Sequence, residues 1–401
     1  MEACDKPHYE NVPFEVPSSW AWTTLGEIFT LQAGKNITAK DIYTEKSEEY
    51  KYPCFGGNGI RGYVAISNKI GEYPIIGRQG ALCGNINLAH GSFYATEHAV
   101  VVERYCDTDL MWCYYTLITL NLNQYATATA QPGLAVNVIN DVAIPLPPLH
   151  EQQRISKSIK ILFSFLDAIE CEKLYLKTAI SQTKTKVLDL AIHGRLVPQD
   201  PTDEPATELL KRINPKAEIT CDNGQYGKLP KGWCEILLGD IFNHNTGKAL
   251  NASKTEGTQR KYLTTSNVYW NTFDFTTVKQ MYYKDSELDK CSITKGDLLV
   301  CEGGDIGRAA IWNFDYDICI QNHLHRLRPK ISGLCVPLYY YVFYYLKVNN
   351  LIGGKGIGLL GLSSNALHKL HIPLPPINEQ HRIVAKIEEL FAQLDNIAAA
   401  L

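Results

Sequence analysis

Residues 144–170 read IPLPPLHEQQRISKSIKILFSFLDAIE, and residues 372–398 repeat them as IPLPPINEQHRIVAKIEELFAQLDNIA. The second copy begins 228 residues after the first (372 minus 144). This offset far exceeds the roughly 20 to 50 residues of solenoid and propeller repeats. Each repeat therefore consists of a whole domain followed by a helix, and the sequence predicts a tandem duplication.

Two shorter repeated motifs mark the beginning and the end of each domain. The first combines a tryptophan, a Leu-Gly-acid-Ile-Phe segment and a Gly-Lys pair: Trp20, 25–29 and 34–35, then Trp233, 238–242 and 247–248. The second combines Gly-Leu with an asparagine, at 133, 134 and 137 and again at 361, 362 and 365. These fixed points predict six segments: a lead over 1–14, a domain over 15–148, a long helix over 149–194, a linker with a short helix over 195–228, a domain over 229–376 and a helix over 377–401.

The composition predicts a globular chain with more than one core. The chain has 401 residues, of which 45% are hydrophobic and 20% charged. No apolar run reaches the roughly 20 residues that cross a bilayer, and the start, MEACDKPHYE, lacks the layout of a signal peptide. We therefore expect a cytoplasmic protein that binds no membrane. The twelve cysteines form no CxxC pair, which indicates reduced thiols and no metal site.

The charge is distributed unevenly between the two domains. Residues 15–143 hold eight Lys and Arg against twelve Asp and Glu, a net of −4, whereas residues 229–370 hold sixteen against twelve, a net of +4. The whole chain carries −3. Binding of nucleic acid through overall charge needs an excess of basic residues. The first domain lacks this excess, so any nucleic-acid contact that it makes must come from a few local residues.

The two prolines before each repeated helix predict an extended approach and a helix start near His150 and at Asn378, a good N-cap. Apolar residues then follow in alternating steps of four and three, which is a heptad seam. In the first helix they are Ile155, Ile159, Leu162, Leu166, Ile169, Leu176, Ile180, Val187 and Leu190, and Gly194 suits the stop. In the second they are Ile383, Ile387, Leu390, Leu394, Ile397 and Leu401. We expect the two helices to pair antiparallel. The first helix has about 44 residues and the second about 25, so about half of the heptad seam of the first helix is left without a partner in this chain.

The domains themselves are predicted to be rich in strands. Short β-prone runs at 73–76, 98–103, 297–301 and 310–312 are separated by glycine turns. One helix is expected in each domain, over 109–122 and 337–347.

The glycine-rich loops of these domains carry the candidate binding residues. Arg matches the edge of guanine, and Asn and Gln match that of adenine, each for roughly 1 to 3 kcal/mol of discrimination. An ordinary turn remains an equally good interpretation of any single loop. The candidates in the first domain are Lys35, Asn58, Arg61, Tyr63, Arg78 and Gln79, and those in the second are Lys248, Lys261, Tyr262, Thr264, Thr265, Ser266, Asn267, Arg308, Asn322 and His323.

Motifs of catalysis are mostly missing from the sequence. It contains no phosphate-binding P-loop, no His-Glu-x-x-His and no Gly-x-Ser-x-Gly. Asp297 and Glu302 could suggest a nuclease, but Gly303 and Gly304 stand where a catalytic lysine would be needed. No catalytic residue is therefore predicted. His98 and His323 occupy corresponding places and are more typical of partners at a core edge than of catalysts.

These motifs resemble the specificity subunit of type I restriction-modification systems over nearly the whole chain. The resemblance rests on the Trp…Leu-Gly-acid-Ile-Phe leads, the two Ile-Pro-Leu-Pro-Pro…Glu-Gln-x-Arg-Ile segments and the linker after the long helix, residues 191–213. It implies an α+β fold: two mixed α/β target-recognition domains, related by a pseudo-twofold axis and separated by long antiparallel coiled-coil helices.

The resemblance also implies a non-catalytic, sequence-specific DNA-binding subunit. Each domain would read one half of a bipartite site in double-stranded DNA, and the helices would set the gap between the halves. Two modification subunits with S-adenosylmethionine would methylate adenine, and restriction subunits with ATP and Mg²⁺ would cut, so this chain itself would bind no cofactor. An orphan DNA-binding or assembly scaffold without active partners is the alternative interpretation.

The start of each repeated helix carries a Glu-Gln-x-Arg segment that allows two interpretations. These residues either fix the helix end within the chain or dock the modification subunits. They are Glu151, Gln152 and Arg154 in the first copy and Glu379, Gln380 and Arg382 in the second.

Overall fold

The computed structural model describes residues 14–401 except 81, 106, 128–131, 218, 220–225, 251–255 and 353–361. The chain divides into two compact units, Met1–Glu170 and Cys171–Leu401. The expected lead over 1–14 falls almost wholly outside the described residues. The finer six-segment division stays a prediction.

The first unit is built on one six-stranded sheet, with strand order β2-β7-β5-β6-β3-β4 and a separate β1-β8 pair. Its strands are β1 Ala21–Thr24, β2 Phe29–Ala33, β3 Tyr52–Gly56, β4 Gly59–Val64, β5 Lys69–Gly77, β6 Ile86–Ala95, β7 Ala99–Arg104 and β8 Ala143–Leu146. Its helices are α1 Leu25–Ile28, α2 Leu110–Thr119, α3 Val136–Asn140 and the start of α4 Leu149–Ile192, with 3₁₀ turns at Ala39–Asp41 and Leu122–Tyr125.

The second unit divides its strands between two four-stranded sheets, β10-β19-β16-β17 and β14-β11-β18-β15, and the pairs β12-β13 and β20-β9. The strands are β9 Cys234–Leu237, β10 Phe242–Thr246, β11 Thr258–Leu263, β12 Val268–Tyr269, β13 Thr272–Phe273, β14 Lys279–Tyr283, β15 Ser292–Ile293, β16 Leu298–Cys301, β17 Ala309–Ile311, β18 Ile318–Ile320, β19 Leu324–Pro329 and β20 His371–Leu374. The helices are α5 Ala206–Ile213, α6 Leu238–Ile241, α7 Asp285–Cys291, α8 Val336–Val348, α9 Ser364–His368 and α10 Ile377–Ala399, with a 3₁₀ turn at Thr265–Asn267.

The repeated sequence produces the same local framework in both units. The strand of each Ile-Pro-Leu segment pairs antiparallel with the strand that follows the repeated tryptophan, as β8 with β1 and β20 with β9. The Leu-Gly-acid-Ile segment forms a single helical turn, α1 or α6, and the phenylalanine after it begins β2 or β10. β2 pairs with β7 and β10 with β19 in matching register. The repeated sequence therefore gives both units the same arrangement of strands next to the start of the repeated helix.

Apolar side chains of these shared elements form the cores. Leu25, Phe29 and Trp112 lie in the core of the first unit, and Leu238 and Phe242 in that of the second. All five side chains are at most 4% exposed. Burial of such large apolar groups is the main favourable term in folding.

The expectation of one helix per domain is wrong. The two expected helices exist, as α2 and α8, but α1 and α3 accompany the first, and α6, α7 and α9 accompany the second. Each of these additional helices has four to seven residues, which is too short to show an apolar period. The four expected strands are present in β5, β7, β16 and β17.

The long helix is confirmed as α4, whose 44 residues extend over about 66 Å at 1.5 Å per residue. In its C-terminal part, Ile180 is buried, and Val187 and Leu188 lie in the same core as Ile383 and Ile387 of α10. The pairing is antiparallel, because Lys184 contacts Asp395 at 2.5 Å, whereas the segment after α4 contacts the start of α10.

The helix ends differ in one respect from the expectation. Gly194 adopts a φ of +64° just after α4, as its stop signal predicts. Asn378, however, is not the N-cap of α10, because that position belongs to Pro376. The Asn378 side chain instead donates a hydrogen bond to Asp203 at 3.2 Å.

Candidate nucleic-acid interface

In both units, the backbone of the Gly-Lys pair contacts the last residue of a neighbouring strand. A Cβ on Gly34 would lie 2.1 Å from the carbonyl oxygen of Ala95, and one on Gly247 would lie 2.0 Å from that of Ile320. Only glycine therefore fits. The lysine after each glycine donates its backbone N–H to the same carbonyl, Lys35 to Ala95 and Lys248 to Ile320.

The first candidate loop of the first unit is a hairpin rather than a loop. Strands β3 and β4 pair across its turn, so Arg61 and Tyr63 lie on a strand and their direction is set by the pairing. The turn packs tightly on the end of β5: a Cβ on Gly57 would lie 2.4 Å from the Gln79 carbonyl oxygen, and one on Gly77 would lie 1.9 Å from that of Gly57. The glycines thus hold the two predicted segments together as a rigid pair.

A cleft of 510 Å³ lies between these segments. Arg61 and Gln79 are exposed at it and make no side-chain hydrogen bond or ion pair with other described residues. The Asn58 carbonyl oxygen accepts a hydrogen bond from the Asn85 amide at 3.0 Å, which leaves the Asn58 amide group free to donate. Three side chains of types that can form hydrogen bonds with base edges therefore line one cleft.

Two further candidates of the first unit have structural contacts. The Nε of Arg78 donates to the Leu134 carbonyl oxygen at 3.1 Å, so one edge of its guanidinium is occupied. Tyr63 is half-buried, and its backbone pairs with that of Tyr43. Lys35, by contrast, is exposed.

His98 belongs to the cleft but was not among the predicted binding residues. Its Nε2 lies 3.2 Å from an oxygen of Glu97. The strand register places His323 at the corresponding point of the second unit, where its Nδ1 lies 3.6 Å from Glu302. The sequence showed that the two histidines correspond, but it is the pairing of β5 with β7, continued by the hydrogen bond from the Arg78 N–H to the His98 carbonyl oxygen, that brings His98 to the cleft.

The second unit collects its candidates around the turn that follows β11. The Thr264 and Ser266 hydroxyls are hydrogen-bonded at 2.7 Å. Arg308, from the turn between β16 and β17, donates to the Thr265 carbonyl oxygen at 2.6 Å. Its guanidinium lies 4.6 Å from the ring centre of Tyr269, an exposed tyrosine that sequence reasoning missed. The arrangement joins a cation, an aromatic face and hydroxyl groups.

Three candidates of the second unit are buried or already bound to partners within that unit. Tyr262 is 3% exposed within a small core, and Asn267 is fully buried, where its amide holds the turn by donating to the Asp274 carbonyl oxygen. Lys248 is engaged with Glu287 at 2.6 Å and with the Tyr282 carbonyl oxygen. These side chains are structural. Lys261 and His323 are exposed and Asn322 is half-buried.

The Glu-Gln segments at the helix starts are mostly buried inside their own units. Gln152, Glu379 and Gln380 are at most 2% exposed. The two oxygens of Glu379 accept hydrogen bonds from the Trp233 indole N–H at 2.9 Å and from the Gln199 amide at 2.7 Å. Burial raises the pKa of this carboxyl group above its ordinary value, although both hydrogen bonds oppose the shift.

The arginines of these segments are closer to the surface. Arg382 binds Asp203 at 2.6 Å, and this ion pair holds the pKa of the guanidinium above its usual range. Arg154 is largely exposed, and its guanidinium lies 4.0 Å from the partly buried Glu151. Gln152, Glu379, Gln380 and Arg382 therefore have partners within the chain, whereas Arg154 is exposed, and the choice between the two interpretations stays a prediction.

Within the described ranges, no cluster of three or more His, Cys, Asp or Glu side chains could hold a metal ion. In the same part of the chain, no helix has the length and apolarity that a bilayer crossing requires. The chemistry of the two sites is that of hydrogen-bond donors, amides and aromatic faces.

Comparison with known proteins gives consistent matches. The family model "Type I restriction modification DNA specificity domain" matches residues 17–182 and again 230–400. The EcoprrI specificity subunit of Escherichia coli is 42% identical over 167 residues, 42% of this chain and 41% of that protein. The EcoBI specificity subunit, also of Escherichia coli, is 22% identical over 77% of this chain and 66% of its own length.

Two solved structures share the fold. The HsdS subunit from Thermoanaerobacter tengcongensis has a TM-score of 0.58 at 17% identity and covers 97% of this chain and 93% of its own. A chain from a study of complex assembly and conformational transition in a type I restriction-modification system has a TM-score of 0.61 at 20% identity, with 97% and 94% covered.

Proposed function

The chain belongs to the family of type I restriction-modification DNA specificity domains, and on this premise we propose that it directs such a complex to its DNA site. Each of its two recognition domains reads one half of a bipartite sequence. The protein itself carries out no chemistry. Adenine methylation with S-adenosylmethionine and cleavage with ATP and Mg²⁺ belong to the modification and restriction subunits that it brings to DNA.

One observation carries this proposal: the duplicated framework presents polar side chains at the same end of the sheet in both units. His98 and His323 mark the equivalent points by register. Arg61 and Gln79 line the same cleft as His98 in one unit. In the other, the segments of Arg308 and His323 meet at the end of β16, where the Cys301 N–H donates to the Arg308 carbonyl oxygen and the Glu302 N–H to that of His323. Two equivalent but chemically different sites suit a DNA sequence with two different halves.

The chemistry of each site favours reading of base edges over binding by bulk charge. Arginine and amide side chains offer paired hydrogen bonds to purines in the major groove. The net charge of the chain is −3, so binding through phosphates alone would lack its usual basic surface. In the first unit the donors are concentrated in a single cleft.

The helices α4 and α10 serve, in this proposal, as the spacer between the half-sites and as the docking surface for two modification subunits. Support comes from the apolar residues left exposed in the middle of α4, among them Leu162, Leu166 and Ile169, which are 55 to 63% exposed. Monomeric proteins seldom expose contiguous apolar residues in this way unless a partner covers them.

The proposal is tested by sequencing the methylated bases of host DNA in which the chain is expressed with its modification subunits. The expected result is a bipartite motif with a modified adenine in each half, absent when this chain is deleted. Methylation that persists without the chain, or a motif without two separated halves, would contradict the proposal.

Variants of the first cleft assign its half-site. We expect Arg61→Ala or Gln79→Ala to reduce methylation that depends on one half-site by roughly 5- to 100-fold, since one base contact is worth about 1 to 3 kcal/mol. Lys51→Ala is the matched control, because this exposed lysine of the same domain precedes β3, at the end of that strand opposite the cleft. Equal relaxation of both half-sites would assign Arg61 and Gln79 to folding instead.

A further inference from the structure

A buried glutamine joins the spacer helix to its recognition domain in the first unit. Gln152 lies in the first turn of α4 and is 2% exposed. Its amide nitrogen donates to the Pro147 carbonyl oxygen at 2.8 Å. Its amide oxygen accepts the backbone N–H of Asp109 at 2.9 Å. Asp109 is the N-cap of α2, the main helix of this domain.

The second unit repeats the arrangement atom for atom. Gln380 lies at the same place in α10 and is fully buried. It donates to the Pro375 carbonyl oxygen at 2.9 Å and accepts the backbone N–H of Cys335 at 3.1 Å. Cys335 is the N-cap of α8, the counterpart of α2. One glutamine in each unit therefore links the Pro-Pro approach, the spacer helix and the domain helix.

Only a side-chain amide satisfies both partners at once. The carbonyl before the second proline needs a donor, and the N–H that precedes the domain helix needs an acceptor. A carboxylate could only accept, and an apolar side chain would leave both backbone groups buried without partners. This requirement explains why Gln recurs in both copies of the Glu-Gln-x-Arg segment.

The contacts one turn further along the helix are different in the two units. Ser156 donates its hydroxyl proton to the Asp109 carboxylate at 2.5 Å. The corresponding residue of α10 is Val384, a buried member of the apolar core that also contains Cys335. The contact between the spacer helix and the N-cap residue of the domain helix is therefore polar in the first unit and apolar in the second. The glutamine is the part of this contact that both units share.

We propose that Gln152 and Gln380 are positioning residues that fix the direction in which each spacer helix leaves its recognition domain. They thereby set how strictly the protein measures the gap between the two half-sites. This inference rests on the proposed function. Neither glutamine touches DNA in this proposal; each acts through the helix it holds.

The test measures methylation of plasmids whose half-sites are separated by the native gap or by one base pair more or fewer. The assembled complex is used, with Gln152→Met, which keeps the length of the side chain but neither hydrogen bond, and Gln152→Glu, which keeps only the acceptor. Gln153→Ala is the control, because Gln153 is the exposed neighbour on the same helix turn.

In the Gln152→Glu complex, the preference for the native gap should fall by about tenfold, which corresponds to loss of one buried hydrogen bond, and in the Gln152→Met complex, which loses both, by at least as much. Gln380→Met should have the same effect, and Gln153→Ala none. A merely structural role would lower methylation at all three gaps alike and leave the preference unchanged. That result, or full preference in Gln152→Met, would overturn the inference.

Two further outcomes keep the inference separate from the proposed function. A wild-type complex without any gap preference would contradict the proposed function itself. Should Gln152→Met fail to fold, Ser156→Ala decides, because it removes a contact to the same N-cap residue and leaves the glutamine in place. Ser156→Ala should weaken the preference for the native gap. An unchanged preference would count against a positioning role for the contact between α4 and Asp109.

Discussion

Trp20 and Trp233 occupy equivalent positions in the two copies, but their indole N–H groups have different surroundings. The Trp233 N–H donates to the buried Glu379 carboxylate at 2.9 Å. The buried Trp20 N–H has no hydrogen-bond partner among the described residues. Gln199, in the segment after α4, completes the second site by donating to the same carboxylate. One repeated residue type therefore has a different energetic role in each unit.

This difference predicts unequal costs for the same substitution. Trp233→Phe should lower the free energy of unfolding by about 1 to 3 kcal/mol, because it leaves one oxygen of a buried carboxylate without its donor. Trp20→Phe removes an N–H that already lacks a partner and should cost much less. Chemical denaturation of both variants measures the difference. Equal losses would show that ring packing, rather than the hydrogen bond, decides the stability at both positions.

Residue types predicted which loops carry exposed polar side chains better than they predicted which individual side chains are buried. Arg61 and Gln79 were found from glycine-rich patterns, because glycine is needed where two backbone segments approach closely. Tyr262 and Asn267 were misassigned because their burial depends on strand pairing and turn geometry. Tyr269 was missed because its role arises only from the position of Arg308 across the fold.

Among the elements, α4 shows what an apolar period can and cannot predict. Its heptad steps predicted a helix of the observed length. The same steps continue through Leu166, which is 55% exposed, and Ile180, which is 8% exposed. The period is identical in both parts, so it cannot tell which part has a partner within the chain. Short helices such as α1 escape detection because one turn has no period.

The exposed apolar stripe of α4 predicts a separation of stability from assembly. Leu162→Gln combined with Leu166→Gln should leave the melting temperature of the isolated chain nearly unchanged, because both side chains are already mostly in water. It should strongly reduce co-purification with the modification subunits, because burial of two leucines contributes several kcal/mol, at roughly 1.5 to 3 kcal/mol each.

Lys157→Gln is the control for this pair, since Lys157 is an exposed polar residue of the same helix, on the face opposite Leu162 and Leu166. Undiminished co-purification of the double variant would show that the stripe is not the docking surface. A large loss of melting temperature would show that the stripe is already covered in the isolated chain.

At the scale of the whole molecule, duplication has preserved the framework while allowing the two cores to diverge. The register equates His244 and His325 of the second unit with Leu31 and Val100 of the first. In the second unit, His244 Nε2 lies 2.9 Å from His325 Nδ1, and His325 Nε2 lies 2.6 Å from the Leu362 carbonyl oxygen. Because a carbonyl only accepts, His325 must carry its proton on Nε2, and His244 must donate to His325.

This histidine pair predicts that acid destabilises the second unit before the first. Burial lowers the pKa of His244 from 6.5 to about 4 and also lowers that of His325, with His368 and Arg326 adding repulsion at His244. The unfolded chain therefore binds more protons than the folded chain between about pH 6.5 and pH 4, and stability falls as the pH decreases through that window. Leu31 and Val100 give the first unit no such dependence at the equivalent positions.

Hydrogen exchange at pH 7.5 and pH 5, followed peptide by peptide, can locate this loss. After correction for intrinsic rates, protection should fall in β10 and β19 but not in β2 and β7. His244→Gln keeps a donor for His325 while removing one titrating group, and it should restore part of the lost protection at pH 5. His90→Gln, at an exposed histidine of the first unit, should have no effect. Equal losses in both units would mean that general charge repulsion, and not the buried pair, governs the acid response.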